Sequence, residues 1–229
     1  ATDTIGSIAG AGTIDIASSQ TLTAGDTTNT NFSGTMSGSG AFTKVGTGTL
    51  TLSSSNNLTG NITVSAGSLA VSSNNALGTT AGNTTIGSSG TIDFQNVNYS
   101  TTETLRNSGN ISASTGTSTF AGPIQLLADT DLDVDGTQIT LSGVISGTNN
   151  LTKTGTGIAI LSGTNTYSGD TTISAGTLNV TGGLSNSTSV SVASGATYDV
   201  DASDTISSIS GAGTIDIASS QTLSAGSSG

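Results

Sequence analysis

A small residue, a glycine and then an alternating strand recur along this chain: "TGTLTL" at Gly48, "AGSLAV" at Gly67, "SGTIDF" at Gly90, "AGTLNV" at Gly176 and "AGTIDI" at Gly213. The spacing is regular. Gly157, Gly176, Gly195 and Gly213 lie 19, 19 and 18 residues apart, and Gly48 and Gly67 lie 19 apart. Gly67 to Gly90 is longer, which predicts an insertion in that turn. Within "GTLNV", Leu178 and Val180 share one face and Thr177 and Asn179 the other, the pattern of a half-buried strand. The same parity predicts Ile215 and Ile217 inward, with Asn179 and Asp216 outward. A unit of this length has one apolar stripe and nothing of its own to bury it against. Stacking solves this, because each strand pairs with its counterpart in the next turn and the inward Leu, Ile and Val form a continuous column. The spacing therefore predicts an all-β solenoid of about 19-residue turns, roughly 10 to 12 of them at about 4.8 Å per turn.

Two longer repeats are laid over this beat. Residues 1–25 and 202–226 differ at only four positions, all exchanges among small residues. Residues 32–71 and 141–180 align without a gap and pair Lys44 with Lys153, Asn56 with Asn165, Gly67 with Gly176 and Leu69 with Leu178. One repeating segment over residues 1–229 is the expected organisation. The repeat at both ends reads as a piece of a longer array, and no signal peptide is visible at Ala1.

Composition decides which chemistry is within reach. Only 7% of residues are charged and the formal net charge is −11. So little Leu, Ile, Val and Phe would suit a disordered chain, but disorder does not explain the strand patterning. Three basic residues, Lys44, Arg106 and Lys153, make no patch for phosphates, which excludes nucleic acid as a partner. The same shortage argues against anionic membrane lipid, and no apolar run is long enough for a spanning helix, so direct membrane insertion is not expected. A divalent cation suits such a surface best. There is no cysteine and no histidine, which removes the usual nucleophile and base pairings.

The strongest chemical signal is "ADTDLDVDG". Asp131, Asp133 and Asp135 alternate with Leu132 and Val134, which sets three carboxylates on one outward face about 7 Å apart. Calcium would relieve their repulsion through carboxylate oxygens. The run resembles the start of an EF-hand loop with Gly136 at its turn, but Ser142 stands at the twelfth position and no helices flank it. A solubilising strand face is the plainer reading and a weak Ca²⁺ site the alternative. Asp199, Asp201 and Asp204 read as a second solvated edge. Lys44 and Lys153 occupy one place in the repeat, where the stem covers a strand end and the ammonium meets water or a carbonyl. Paired carboxylates at glycosidase distance arise trivially along such strands, yet Arg106 stands without the basic cluster that an acidic sugar needs. A polysaccharide-active enzyme is the remaining rival to a non-catalytic chain.

"LTKTGTGIAILSGTNTYSGDTTISAGTLNV" carries a more specific resemblance. It is similar to the passenger-associated repeat of bacterial autotransporters at Lys153, Gly155, Gly157, Leu161, Gly163, Asn165, Tyr167, Gly169, Ala175, Gly176, Leu178 and Val180. The copy from Phe42 departs at Ser54, in place of Gly, and at Leu58, in place of Tyr. The resemblance implies a right-handed parallel β-helix on a bacterial cell surface, an extracellular structural rod or stalk with roles in display, adhesion or self-association. Its ligand, protein or glycan, is left open. The repeated ends suggest head-to-tail assembly, and the polar faces lateral assembly.

Overall fold

The computed structural model describes residues 2–226; Ala1 and residues 227–229 of the expected single segment lie outside the described residues. Every strand pairing is parallel, and the rod is an all-β solenoid of about 11 turns with a period near 20 residues. A sixteen-stranded sheet runs its length, from Thr2–Ile5 through Ala41–Lys44, Ile62–Val71, Asn83–Gln95 and Leu151–Thr154 to Ser208–Gly211. A seven-stranded sheet, from Asn98–Tyr99 to Thr214–Ile217, forms a second wall of the C-terminal half. Among the described residues no helix is long and apolar enough to cross a membrane.

Turn length is less uniform than the glycine spacing predicts. In-register partners are 17 residues apart at Thr197 and Thr214, but 23 at Ser68 and Thr91. The expected insertion lies in the loop between Val71 and Asn83, and the register slips by one further residue between Ile86 and Ser89. Gly48 and Gly67 do stack in adjacent turns, as do Gly157 and Gly176. Some of these positions admit only glycine. A Cβ on Gly143 would fall 2.0 Å from the Gly122 carbonyl oxygen, and one on Gly163 2.5 Å from that of Gly143. At this corner the chain of one turn lies directly against the next.

The core is one continuous column of apolar side chains from Ile8 to Ile206. Leu178 and Val180 are inward and buried, as predicted. All seven aromatic side chains lie within the column, and Phe94, Tyr99 and Phe120 touch, with ring centroids 5.0–6.1 Å apart. Leu58 and Tyr167 fill the same place in the two inner repeats, both fully buried.

Two expectations are corrected. Ile215 and Ile217 follow the core columns, in register with Tyr198 and Val200, but are 44% and 43% exposed, since among the described residues no strand pairs on their other side. Asn179 has the outward parity but is buried. Its amide nitrogen donates to Asp199 Oδ2 (2.6 Å) and Asp201 Oδ2 (2.8 Å), side chains of the following turn that close over it.

Candidate functional site

Two polar residues shared by the two inner repeats, a lysine and an asparagine, point into the rod. Alternation already places Lys44 on the face of Phe42 and Lys153 on that of Leu151, and both lysines are almost completely buried. Gly46 and Gly155, two residues on, have φ of 71° and 70° and curl the backbone so that its carbonyls converge on the ammonium. Lys44 Nζ donates to Val45 O (2.8 Å), Gly46 O (3.0 Å) and Ala66 O (3.2 Å). Lys153 Nζ donates to Thr154 O (2.5 Å), Gly155 O (2.8 Å) and Ala175 O (3.3 Å). Each lysine thus satisfies two carbonyls of its own corner and one from the next turn. Burial lowers both lysines, Lys153 to about 8, opposed by the charges of Asp133 and Asp135; for Lys44 the opposing charge is Asp26. Of the two expected destinations of the ammonium, water or a carbonyl, the structure shows the carbonyl: the lysines are internal staples, held there because three acceptors replace the lost water.

Asn56 and Asn165 do the same between three turns. Asn56 Oδ1 accepts from Met36 N (2.7 Å) and its Nδ2 donates to Ala76 O (2.5 Å). Asn165 Oδ1 accepts from Ile145 N (3.0 Å) and its Nδ2 donates to Gly163 O (2.9 Å) and Gly183 O (3.0 Å). The recurrence of a polar residue at an inward position was the signal for both staples.

Between the inner repeats sits Glu103, buried among Thr84, Tyr99 and the chain at Gly122. Thr84 Oγ1 donates to Oε1 (2.5 Å) and Tyr99 OH to Oε2 (3.4 Å). Burial raises the carboxyl to about 7, and the two hydroxyls offset only part of that. Nothing in the local sequence distinguishes it from an exposed Glu.

The acidic face takes the predicted parity. Asp131 and Asp135 are exposed and Asp133 half-buried; Asp131 and Asp133, but not Asp135, border a shallow groove with Thr91, Asn110, Ser112 and Thr154. Asp133 Oδ1 accepts from Thr154 Oγ1 (3.1 Å). Among the described residues no three carboxylates gather closely enough to surround one metal ion. Asp199, Asp201 and Asp204 are engaged in the wall: the first two hold Asn179, and Asp204 Oδ2 accepts from Leu184 N (2.8 Å). Arg106 is exposed, flanked by Thr85 and Gln125 on neighbouring strands.

Each lysine and asparagine staple lies in or beside one of two segments that match a known repeat. The sequence profile of the passenger-associated-transport-repeat family matches residues 42–71 and 151–180. No curated protein and no solved structure matches the chain. The chain carries two passenger-associated transport repeats, the repeat characteristic of autotransporter passenger domains.

Proposed function

We propose that the chain is a section of an extracellular, non-catalytic rod on a bacterial surface that holds other parts at a distance and takes part in adhesion or self-association. The observation that carries this reading is where the repeats place their polar residues. Lys44, Lys153, Asn56 and Asn165 are spent on backbone groups inside the column and present nothing to a substrate. The kinship of the repeat with autotransporter passengers supports the surface location. A right-handed winding is part of the proposal, since parallel strands of one sheet joined by a crossover take that hand in about 98% of cases.

Small-angle scattering tests the rod: a cross-section constant along its length is expected, and a compact particle would refute it. A reducing-sugar screen over neutral and acidic glycans tests the absence of catalysis, and sustained release from any of them would overturn it. Calorimetric titration with Ca²⁺ separates the rod from a calcium-dependent binding module at Asp131, Asp133 and Asp135. Saturable heat that Asp133→Asn abolishes would favour the module.

A further inference from the structure

One joint of the rod is closed by side chains. The three-stranded sheet ends at Asn57–Leu58 and the seven-stranded sheet begins at Asn98–Tyr99. Between them runs the insertion, residues 72–82, which contains no strand; residues 100–103 of the next turn contain none either. Toward the turn before it the insertion is bonded through the backbone. Asn56 N donates to Asn75 O (2.9 Å) and Thr79 N to Leu58 O (2.9 Å), and the Asn56 amide adds its bond to Ala76 O. Toward the turn after it the bonds run through side chains. Leu77 N donates to Tyr99 OH (3.3 Å), Ser100 N to Asn74 Oδ1 (3.0 Å), Asn74 Nδ2 to Ser100 Oγ (3.2 Å) and Thr101 Oγ1 to Asn75 Oδ1. Among the described residues no backbone-to-backbone hydrogen bond joins 72–82 to 96–103.

Glu103 stands behind this seam. Its Oε2 accepts from the Tyr99 hydroxyl that also receives Leu77 N, so one atom links the carboxyl to the insertion. The Tyr99 ring packs with Phe94 and Phe120, centroids 6.1 and 5.7 Å away, which holds that hydroxyl in place. Ala76 and Leu77, buried, close the column here. The strand before contributes Thr84, while its Asp93 is turned to Gln95 and Ser114. The turn after brings Gly122, and the insertion holds no titratable side chain. Tyr99 is thus the titratable group that faces Glu103. Among the described residues no cation faces it: Lys44 and Lys153 are spent on carbonyls at other corners, and Arg106 is exposed. With its proton the carboxyl is neutral and rests in the column. Without it a charge is left between two hydroxyls and apolar groups, the costly form of a buried acid. Reaching it through a paired wall would break a strand ladder, whereas the seam gives way at the loss of side-chain bonds.

We infer that residues 72–82 and 100–103 form a latch in the side of the rod that the proton on Glu103 holds shut. When the proton leaves, the seam parts, the insertion stays bonded to the turn before it, and water reaches the carboxylate. The long sheet through Ile62–Val71 and Asn83–Gln95 stays paired, so the rod remains in one piece and gains a joint. The inference concerns this joint alone and stands whatever the rod displays or adheres to.

Hydrogen exchange read by mass spectrometry on the full chain tests it, with each rate divided by the chemical rate of the same residues at that pH. Protection of 72–82 and 96–103 should fall about tenfold per pH unit from pH 5 to 7, because opening then releases one proton. It should level off above about 7, where the closed form has lost the proton too. Thr130–Val134 and Leu151–Thr154 should stay level, and Glu103→Gln should show no fall in either segment. A thiol reports the same event with Glu103 intact, because the chain has no cysteine. Ala76→Cys and Ala113→Cys replace buried alanines, the first behind the seam and the second within Asn110–Thr115. Labelling by an uncharged reagent, relative to its rate in denaturant at the same pH, should rise from pH 5 to 7 in the first and stay level in the second. Level protection in both segments, an equal fall along the whole rod, or the same fall in Glu103→Gln overturns the inference. If Glu103→Gln does not fold, the thiols decide, and equal labelling of the two at every pH overturns it.

Discussion

Replacing Glu103 by Gln isolates the effect of one buried carboxyl on the stability of the whole rod. In the unfolded chain a Glu ionises near 4.5; in the column Glu103 does so at about 7. Between these values the unfolded chain sheds its proton first, so the fold loses stability as pH rises through this window. Below 4.5 the contribution is intact, and above 7 the loss is complete. At about 1.4 kcal/mol per pH unit, the interval from 4.5 to 7 corresponds to about 3 kcal/mol. Glu103→Gln keeps the shape and a hydrogen-bonding end without the titration. The Gln carbonyl accepts from the hydroxyl at one of the two carboxylate positions, and its amide nitrogen donates to the hydroxyl oxygen at the other. The variant should therefore match the wild type near pH 4, up to a constant offset, and gain on it steadily to pH 7.5. For a chain of this length the gain is worth about 6–12 °C in Tm. Differential scanning calorimetry of both proteins from pH 4 to 8 reads it directly, because every other carboxylate is common to the pair. Parallel pH profiles would refute the argument and show that Glu103 ionises in the fold at no unusual cost.

Other substitutions test the core and the staples. Leu178→Asp buries an unpaired charge in the column and should cost about 3–5 kcal/mol by denaturant titration. Asn179→Asp should cost roughly 1–3 kcal/mol, since it replaces the donor shared by Asp199 and Asp201 with a third carboxylate; a neutral result would mean those carboxylates do not need it. Lys153→Met should cost roughly 2–3 kcal/mol by leaving three carbonyls without a donor, and Lys44→Met should behave alike. Unchanged unfolding midpoints for both would remove the staples from the account of stability.

The parallel stacking was legible because it rests on local properties, glycine spacing and the parity of side chains in a strand. Parity also placed Lys44 with Phe42, but the destination of its ammonium depends on carbonyls brought together by Gly46 and by the next turn, which are distant in sequence. Asn179 was misplaced for a related reason. Alternation says which way a residue points, not what the following turn lays over it. The aligned repeats concealed a rotation as well. Lys44 belongs to the column of Val64, Ile86, Asn107 and Leu126, whereas Lys153 stands in that of Leu69, Ile92, Ile111 and Leu132. Turns of unequal length shift the phase, so equal sequence does not guarantee an equal face. The role of Asp131, Asp133 and Asp135 depends on which atoms approach from outside, and neither repeat nor parity speaks to that.

The parallel pairing has a mechanical consequence. Hydrogen bonds between turns lie along the axis of the rod, so tension applied to its two ends opens them a few at a time, as in a zipper, instead of shearing a whole sheet at once. A released turn of about 20 residues can extend by roughly 60 Å while giving up about 4.8 Å of rod. Such a rod yields stepwise at modest force, lengthening greatly before it fails, and the turns stapled by Lys44 and Lys153 are the places where each step should hold longest.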